Sequence, residues 1–443
     1  MTNPTVPNDD EQKKIEAMKQ QFEAAKTPFL GSGPSAYVNL SARLYARLAA
    51  HLGPNDKAKY DDLFDTVIAE DGIVLARAER KRLYEELKAD LFGLGPLEAI
   101  LADPEVIEIM VNGYNAVFIE KNGQLQEMPS TFRNNEHLLE IIQRIAEPMG
   151  RVLDESHPMV DMRLADGSRV NAIIPPIALT GPCLTIRKFW REPLTADDFL
   201  RFGALDEKVL EFLRACVRGR ANIVISGGTG AGKTTLLNVL ANFIPDNERI
   251  ILIENTAEVS LRHRHVVSLE SRPPNLEGRG AITIRDLVQN ALRMRPDRLL
   301  LGEARGDETL DFLQALNSGH DGSMTTMHAS NPRDALARWE VMAASSNPSI
   351  PLLGLREQMA SAFNLIVHIE RLMDGSRKIL RVTEVQGLQG DVVQLTDLFT
   401  FQQTGTEAKR VIGKHVATGK IPSFLHQLRE AGIALPMEMF APN

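Results

Sequence analysis

The residues best equipped for chemistry lie near the middle of the chain: Gly227, Gly228, Thr229, Gly230, Ala231, Gly232, Lys233, Thr234 and Thr235. From Gly227 to Thr234 they match the spacing G-x-x-x-x-G-K-[ST]. An apolar run at 222–226 precedes them, and a helical pattern reaching Phe243 follows. Each part has a physical reason. Glycines let the backbone curl around an oxyanion without Cβ clashes, so that its N–H groups point inward. The start of a helix adds partial positive charge. Lys233 is placed to reach the β- and γ-phosphates of a nucleotide, and Thr234 offers a hydroxyl to Mg²⁺.

Splitting a phosphoanhydride needs acids as well. Residues 297–303 read as a strand that ends in Glu303, a position near the metal and the attacking water in phosphate-loop folds. Gly302 precedes this acid, so the usual Asp-Glu pair is absent and Glu303 is expected to hold Mg²⁺ through water. Glu254 and Glu258 follow another strand and are candidates for polarising water, although four-residue spacing also fits an ordinary helical face. His320 and His328 flank residues 321–327 with no cysteine or further histidine beside them. That disfavours zinc and points to a sensor that hydrogen-bonds a phosphate or an acid, the alternative being core histidines.

The elements that must position these groups follow from periodicity. Residues 1–35 read as a mobile polar tail. Stripes at Tyr37, Leu40, Leu44, Leu48 and Leu52, at Leu63, Phe64, Val67 and Ile68, and at Leu83, Tyr84, Leu87 and Leu91 predict a three-helix bundle over 36–92. Strand patterns at 106–111, 116–120, 159–164, 168–174 and 183–188, with a helix at 138–145, predict a small α+β domain over 93–190. A linker is expected at 191–204. Beyond it, alternating strands and helices imply an α/β domain with a mostly parallel sheet over 205–402. An appended antiparallel meander is expected near its end, at 364–398, and residues 403–443 read as a weaker helical tail. No internal repeat is visible.

Composition narrows the class. The 443 residues carry a formal charge of −8 and two cysteines, and no apolar run approaches the length of a membrane span. With a polar N-terminus, this predicts a cytoplasmic protein without a transmembrane segment, any membrane role passing through a partner.

Taken together, the boxes at 227–235, 251–258, 298–305 and 319–329 resemble the type II/type IV secretion-system ATPase family, hexameric motors for secretion and pilus assembly. The resemblance maps a Walker A motif to the first box, an acidic box to Glu254 and Glu258, a Walker B acid to Glu303 and a histidine box to His320 and His328. Asn255 departs from the pattern, where an aspartate is usual. Residues 161–170 and 184–188 resemble the family's N-terminal domain, in which arginines reach the nucleotide phosphates. Arg163, Arg169 and Arg187 are the matching positions; read alone, each is an arginine on a strand surface.

Residues 91–97 and 272–278 look most like the CpaF branch, which serves the tight-adherence (Flp) pilus. The resemblance implies an α/β fold: a RecA-like P-loop NTPase domain preceded by a small α+β (PAS-like) domain and an N-terminal three-helix bundle. It also implies ATP and Mg²⁺ as cofactors, a homohexamer, and inner-membrane platform proteins as partners on the cytoplasmic face. A hexameric nucleic-acid translocase is the alternative. Its basic features are residues 262–265 with Arg293, Arg295 and Arg298, but net acidity and the lack of an aromatic-basic pattern weigh against it. A non-hydrolysing nucleotide-gated scaffold is disfavoured by the three glutamates.

Overall fold

Heptad-like stripes in the first part of the chain become three helices, α1 (Pro34–Ala49), α2 (Tyr60–Glu70) and α3 (Arg77–Phe92). The computed structural model describes residues 34–53, 56–121, 123–129, 132–188, 194–274, 278–407 and 410–442. The tail over 1–33, residues 191–193 of the expected linker and 275–277 of the branch-like segment lie outside the described residues. Leu44, Leu48, Tyr60, Phe64, Leu83 and Leu87 close the bundle core. Pro34, assigned by the sequence to the polar tail, instead starts α1; proline is tolerated in a first helical turn because its missing N–H has no partner there anyway.

The bundle and the α+β domain form one unit, which ends at residue 190. After a short helix α4 (Leu97–Ala102), strands β1 (Val106–Asn112), β2 (Val117–Lys121) and β3 (Gln124–Met128) are followed by helix α5 (Asn135–Ala146). Strands β4 (Met159–Arg163), β5 (Arg169–Ile173) and β6 (Cys183–Arg187) complete the unit. The sheet is antiparallel throughout, in the order β3-β2-β1-β6-β5-β4. Ile141, Ile142 and Ile145 of α5 pack on Ile109, Leu184 and Ile186. Nothing in β3 alternates, because its residues are almost all exposed on an edge, so patterning predicts no strand there.

The second unit starts at residue 191. The expected linker largely belongs to its body: helix α6 (Ala196–Arg201) buries Phe199, and Ala204 and Leu205 join the same core. Helix α7 (Glu207–Arg218), strand β7 (Ile223–Gly227), helix α8 (Lys233–Ala241) and strands β8 (Ile250–Glu254) and β9 (Val266–Glu270) follow. Next come helix α9 (Ile284–Ala291), strand β10 (Arg298–Leu301), helix α10 (Glu308–Asn317), strand β11 (Met324–His328) and helices α11 (Pro332–Ser346) and α12 (Leu352–Ala362). Strands β12 (Leu365–Arg371), β13 (Arg377–Gln389), β14 (Val392–Glu407) and β15 (Arg410–Ala417) and the short helix α13 (Leu425–Glu430) complete the described chain.

The sheet order is β15-β14-β13-β12-β7-β11-β10-β8-β9. From β12 to β9 all neighbours are parallel. Side chains alternate between two cores: Ile223, Ile225, Ile250 and Leu252 face α7 and α8, whereas Val224, Ile251 and Ile253 face α10, α11 and α12. Burial on both faces explains the nearly continuous apolar strands.

Two expectations about the C-terminal part are corrected. The meander is no appendage, because β12 pairs in parallel with β7, the strand that carries the glycine-rich turn. Residues 403–443 are not a helical tail either: β14 runs on to Glu407, β15 pairs with it, and only α13 and a final 3₁₀ turn are helical. Gly413 obscures this strand in the sequence, yet it is there for packing, since a Cβ at that position would lie 2.4 Å from the Gln402 carbonyl oxygen.

Candidate functional site

The glycine-rich turn leaves β7 at the carboxyl edge of the sheet and enters α8 at Lys233. Gly230 and Gly232 take φ values of 69° and 95°, which glycine adopts without strain. Gly227 is needed for another reason: a Cβ there would sit 2.1 Å from the Ile369 carbonyl oxygen of β12. Gly228, Thr229 and Gly230 are exposed, Ala231 is buried, and Thr234 and Thr235 are half-buried in the first turn of α8. The loop thus places backbone N–H groups and a helix N-terminus at one spot, an arrangement suited to a phosphate.

Lys233 is only 7% exposed. Its Nζ donates to the Gly228 carbonyl oxygen at 2.9 Å and lies 3.3 Å from His328 Nδ1. Register explains the second contact, because His328 is paired with Gly227 at the ends of β11 and β7. His328 Nε2 in turn lies 3.1 Å from Glu303 Oε1. Burial lowers the His328 pKa below its ordinary value of 6.5; the Lys233 cation lowers it further, and the Glu303 carboxylate opposes both. The ring is therefore neutral at pH 7, accepting from Lys233 on Nδ1 and turning Nε2–H toward Glu303; this tautomer is assigned from the neighbours.

Glu303 Oε2 accepts from Arg305 Nη2 at 2.6 Å. That hydrogen bond is the main reason the Arg305 pKa rises, and the charge of Glu258 adds to it. Glu303, Glu258 and Arg305 therefore share one electrostatic neighbourhood. Glu254 is buried, and its Oε1 accepts from the backbone N–H groups of Glu258 and Val259, both at 2.9 Å. It fixes the turn that carries Glu258. It also accounts for Gly302: a Cβ at that residue would lie 2.9 Å from Glu254 Cγ and 3.5 Å from its Oε1. The space an aspartate side chain would fill before Glu303 is occupied by a carboxylate from the neighbouring strand.

His320 is not brought to this cluster. It precedes β11 at the opposite end of the strand, where its Nδ1 lies 3.0 Å from the Ala315 carbonyl oxygen. A single chain therefore cannot use His320 and His328 as a pair. Arg298, counted among the basic features, is fully buried. It makes two bonds to Glu248, at 2.6 and 3.1 Å, and also donates to the Val217 and Gly322 carbonyls, so it offers no charge to a nucleic acid.

In the first unit, Arg163 stands opposite Arg169 and Arg169 opposite Arg187, so the three arginines form one row across β4, β5 and β6. Like charges directly opposite one another are unfavourable in a sheet. Arg163 Nε donates to the Gly167 carbonyl oxygen at 3.1 Å.

Sequence reasoning missed two groups. His368 is buried, its Nδ1 2.9 Å from Ser226 Oγ and its Nε2 2.8 Å from Glu370 Oε1, immediately beneath the loop. Only the β12–β7 register reveals it, since no local motif surrounds it. Arg305 had a weak signal, a cation two residues after the strand-end acid.

The Thr234 hydroxyl and the Glu303 carboxylate, whose Oε1 is buried without a well-formed hydrogen bond, are hard oxygen donors suited to Mg²⁺.

The family described as "Type II/IV secretion system protein" matches residues 90–420, and "Type II secretion system protein E, N-terminal domain" matches residues 57–92. The chain is 35% identical over 318 residues to a putative conjugal transfer protein of Mycobacterium tuberculosis, covering 70% of this chain and 89% of that one. It is 33% identical over 304 residues to the protein VirB11 of Agrobacterium fabrum, covering 62% and 87%. Among solved structures, the VirB11 ATPase of Brucella suis covers 65% of this chain and 92% of its own at 28% identity, with a TM-score of 0.37.

Proposed function

From the premise that this chain belongs to the type II/IV secretion system protein family, a family of secretion and pilus ATPases, we propose that it is a motor that hydrolyses ATP to drive a membrane-bound secretion or pilus machine. The observation that carries this reading is the line from the phosphate loop through Lys233 and His328 to Glu303. A nucleotide-binding scaffold needs the loop alone, whereas this site also sets a carboxylate behind the lysine.

In this reading the loop amides and Lys233 bind the β- and γ-phosphates. Thr234 and Glu303 would hold Mg²⁺, whose chemistry would be to neutralise charge on the transferred group. Lys233 exchanges its bond to the Gly228 carbonyl for a phosphate oxygen. Glu258 orients the attacking water, with Glu303 as the alternative and Glu254 holding the Glu258 turn in place. Neutral His328 links the lysine to the acid without adding charge. Arg169 and Arg187, with Arg163 beside them, supply guanidinium groups to the γ-phosphate, and their attraction falls after hydrolysis and release, so the domains reopen.

The working assembly is a homohexamer at the cytoplasmic face of the inner membrane, coupled to platform proteins. Its branch is that of the tight-adherence pilus, and it makes no direct contact with nucleic acid. No described helix is long and apolar enough to cross a membrane.

The experiment is to measure mass by light scattering together with phosphate release, with and without nucleotide, for the full chain and for Arg187→Ala. A six-fold assembly whose turnover falls on loss of Arg187 is expected. A monomer with unaltered turnover in the variant contradicts the ring and the arginine role together.

A further inference from the structure

The phosphate loop is braced from a side that its motif does not predict. Arg371 ends β12 and Arg377 begins β13, and the two are paired across the hairpin. Arg377 Nε donates to the carbonyl oxygen of Gly230, in the middle of the loop, at 3.1 Å. A Cβ built on Gly232 would meet Arg377 Cδ at 3.4 Å, and one built on Gly230 would lie 4.0 Å from Arg371 Nη1. The hairpin therefore flanks the loop along its crest, while Ile369 and His368 of β12 press on its base at Gly227 and Ser226.

The hairpin is itself held firmly. Leu372 N donates to the Ser376 carbonyl at 2.7 Å, and Asp374 accepts from the Ser376 backbone N–H at 2.9 Å, from Ser376 Oγ at 2.6 Å and from the Val411 N–H of β15 at 2.7 Å. Arg377 thus projects from a preorganised turn.

In a trans peptide the C=O and the following N–H point in opposite directions. Holding the Gly230 carbonyl on one side therefore turns the Ala231 N–H to the other, where it makes a long bond of 3.4 Å to the Gly228 carbonyl oxygen, the acceptor that Lys233 Nζ also uses and that a phosphate oxygen would replace. A guanidinium on that carbonyl also polarises the peptide and strengthens its N–H as a donor. Glycines on both sides of Ala231 favour rotation of this peptide plane, and the 3.4 Å bond from its N–H holds it only weakly, so the Arg377 contact on its carbonyl side is the shorter restraint.

We propose that Arg377 is a positioning residue for phosphate binding, holding the Gly230–Ala231 peptide from the β12–β13 hairpin, with Arg371 adding positive charge beside the same glycine. The C-terminal extension of the sheet is then part of the nucleotide site. This inference rests on the nucleotide-binding reading above.

The test uses the full chain and fluorescent mant-ATP, mant-ADP and mant-AMP as probes, with MgATP kinetics alongside. Loss of a charge-assisted hydrogen bond predicts that Arg377→Ala raises Kd for ATP and ADP, and KM, by about tenfold, with the effect falling on binding rather than on kcat. AMP, which lacks the β-phosphate, should show no such change. Arg377→Gln keeps an N–H donor without the charge and should recover most of the affinity; it also serves if the alanine variant folds poorly. Arg371→Ala should weaken ATP and ADP by a smaller factor. Wild-type affinity in both Arg377 variants overturns the inference, as does a loss confined to kcat. If wild type itself fails to bind mant-ATP, the nucleotide-site reading falls; if wild type binds, Lys233→Ala does not, and Arg377→Ala equals wild type, only the present inference falls.

Discussion

Lys233 donates to a loop carbonyl and lies beside the neutral ring of His328. A buried cation so placed is poised to exchange the carbonyl for a phosphate oxygen. The acids divide by what they touch. Glu254 spends one oxygen on two backbone amides and shapes a turn, whereas Glu258 and Glu303 act on Arg305 and remain candidates for the water. Glu258→Gln should therefore bind nucleotide normally and lower kcat by about 100-fold, in the range expected for loss of a general base. Single-turnover phosphate release checks this, and a mild effect there with a severe one in Glu303→Gln would exchange their roles. His328 adds a pH dependence. Its folded pKa lies below the ordinary 6.5, so between those two values the unfolded chain takes up a proton that the folded one refuses. Stability should fall as pH drops below about 6.5 and be fully present above it. Buried His415 is shifted the same way, chiefly by desolvation, so the pH slope of urea unfolding should flatten in His328→Gln without vanishing.

Elements matter here through close approaches. Alanine at Gly227 would push a methyl into the β12 backbone, which cannot move without parting two central strands. A cost of about 1–3 kcal/mol is expected, as for overpacking elsewhere. Gly354, within α12, has nothing near its missing Cβ. Alanine there should instead stabilise by about 0.4–1 kcal/mol. Urea denaturation of both variants checks the pair, and equal effects would contradict the packing account.

The same contacts explain what sequence could show. The loop, Lys233 and Glu303 were legible because glycine, lysine and strand-end acid occupy fixed spacings, and the main parallel strands because burial on both faces makes them continuously apolar. β3 was hidden by its exposure, and β15 by a glycine that packing demands. The place of Glu254 over Gly302, and of His368 under Ser226, depends on which strands are neighbours, which no local spacing records. His320 misled because strand length puts the two ends of a histidine-flanked segment on opposite edges of the sheet.

At the scale of the whole molecule, two units bring two kinds of cationic device. One is a loop of amides with a lysine, and the other is a row of three arginines aligned across adjacent strands. Their cooperation in one nucleotide cycle is the proposed basis of force. The buried Arg298–Glu248 pair sits instead at the amino edge of the parallel sheet, where it is structural. Arg298→Ala should cost about 3–5 kcal/mol by stranding the Glu248 charge. A thermal melt checks this, and an unshifted melt would reopen that arginine to a surface role. The central claim is tested most directly by phosphate release from MgATP, comparing the purified full chain with Lys233→Ala at equal folded concentration. Steady turnover in wild type and none above background in the variant is predicted; equal rates in the two proteins would contradict the account.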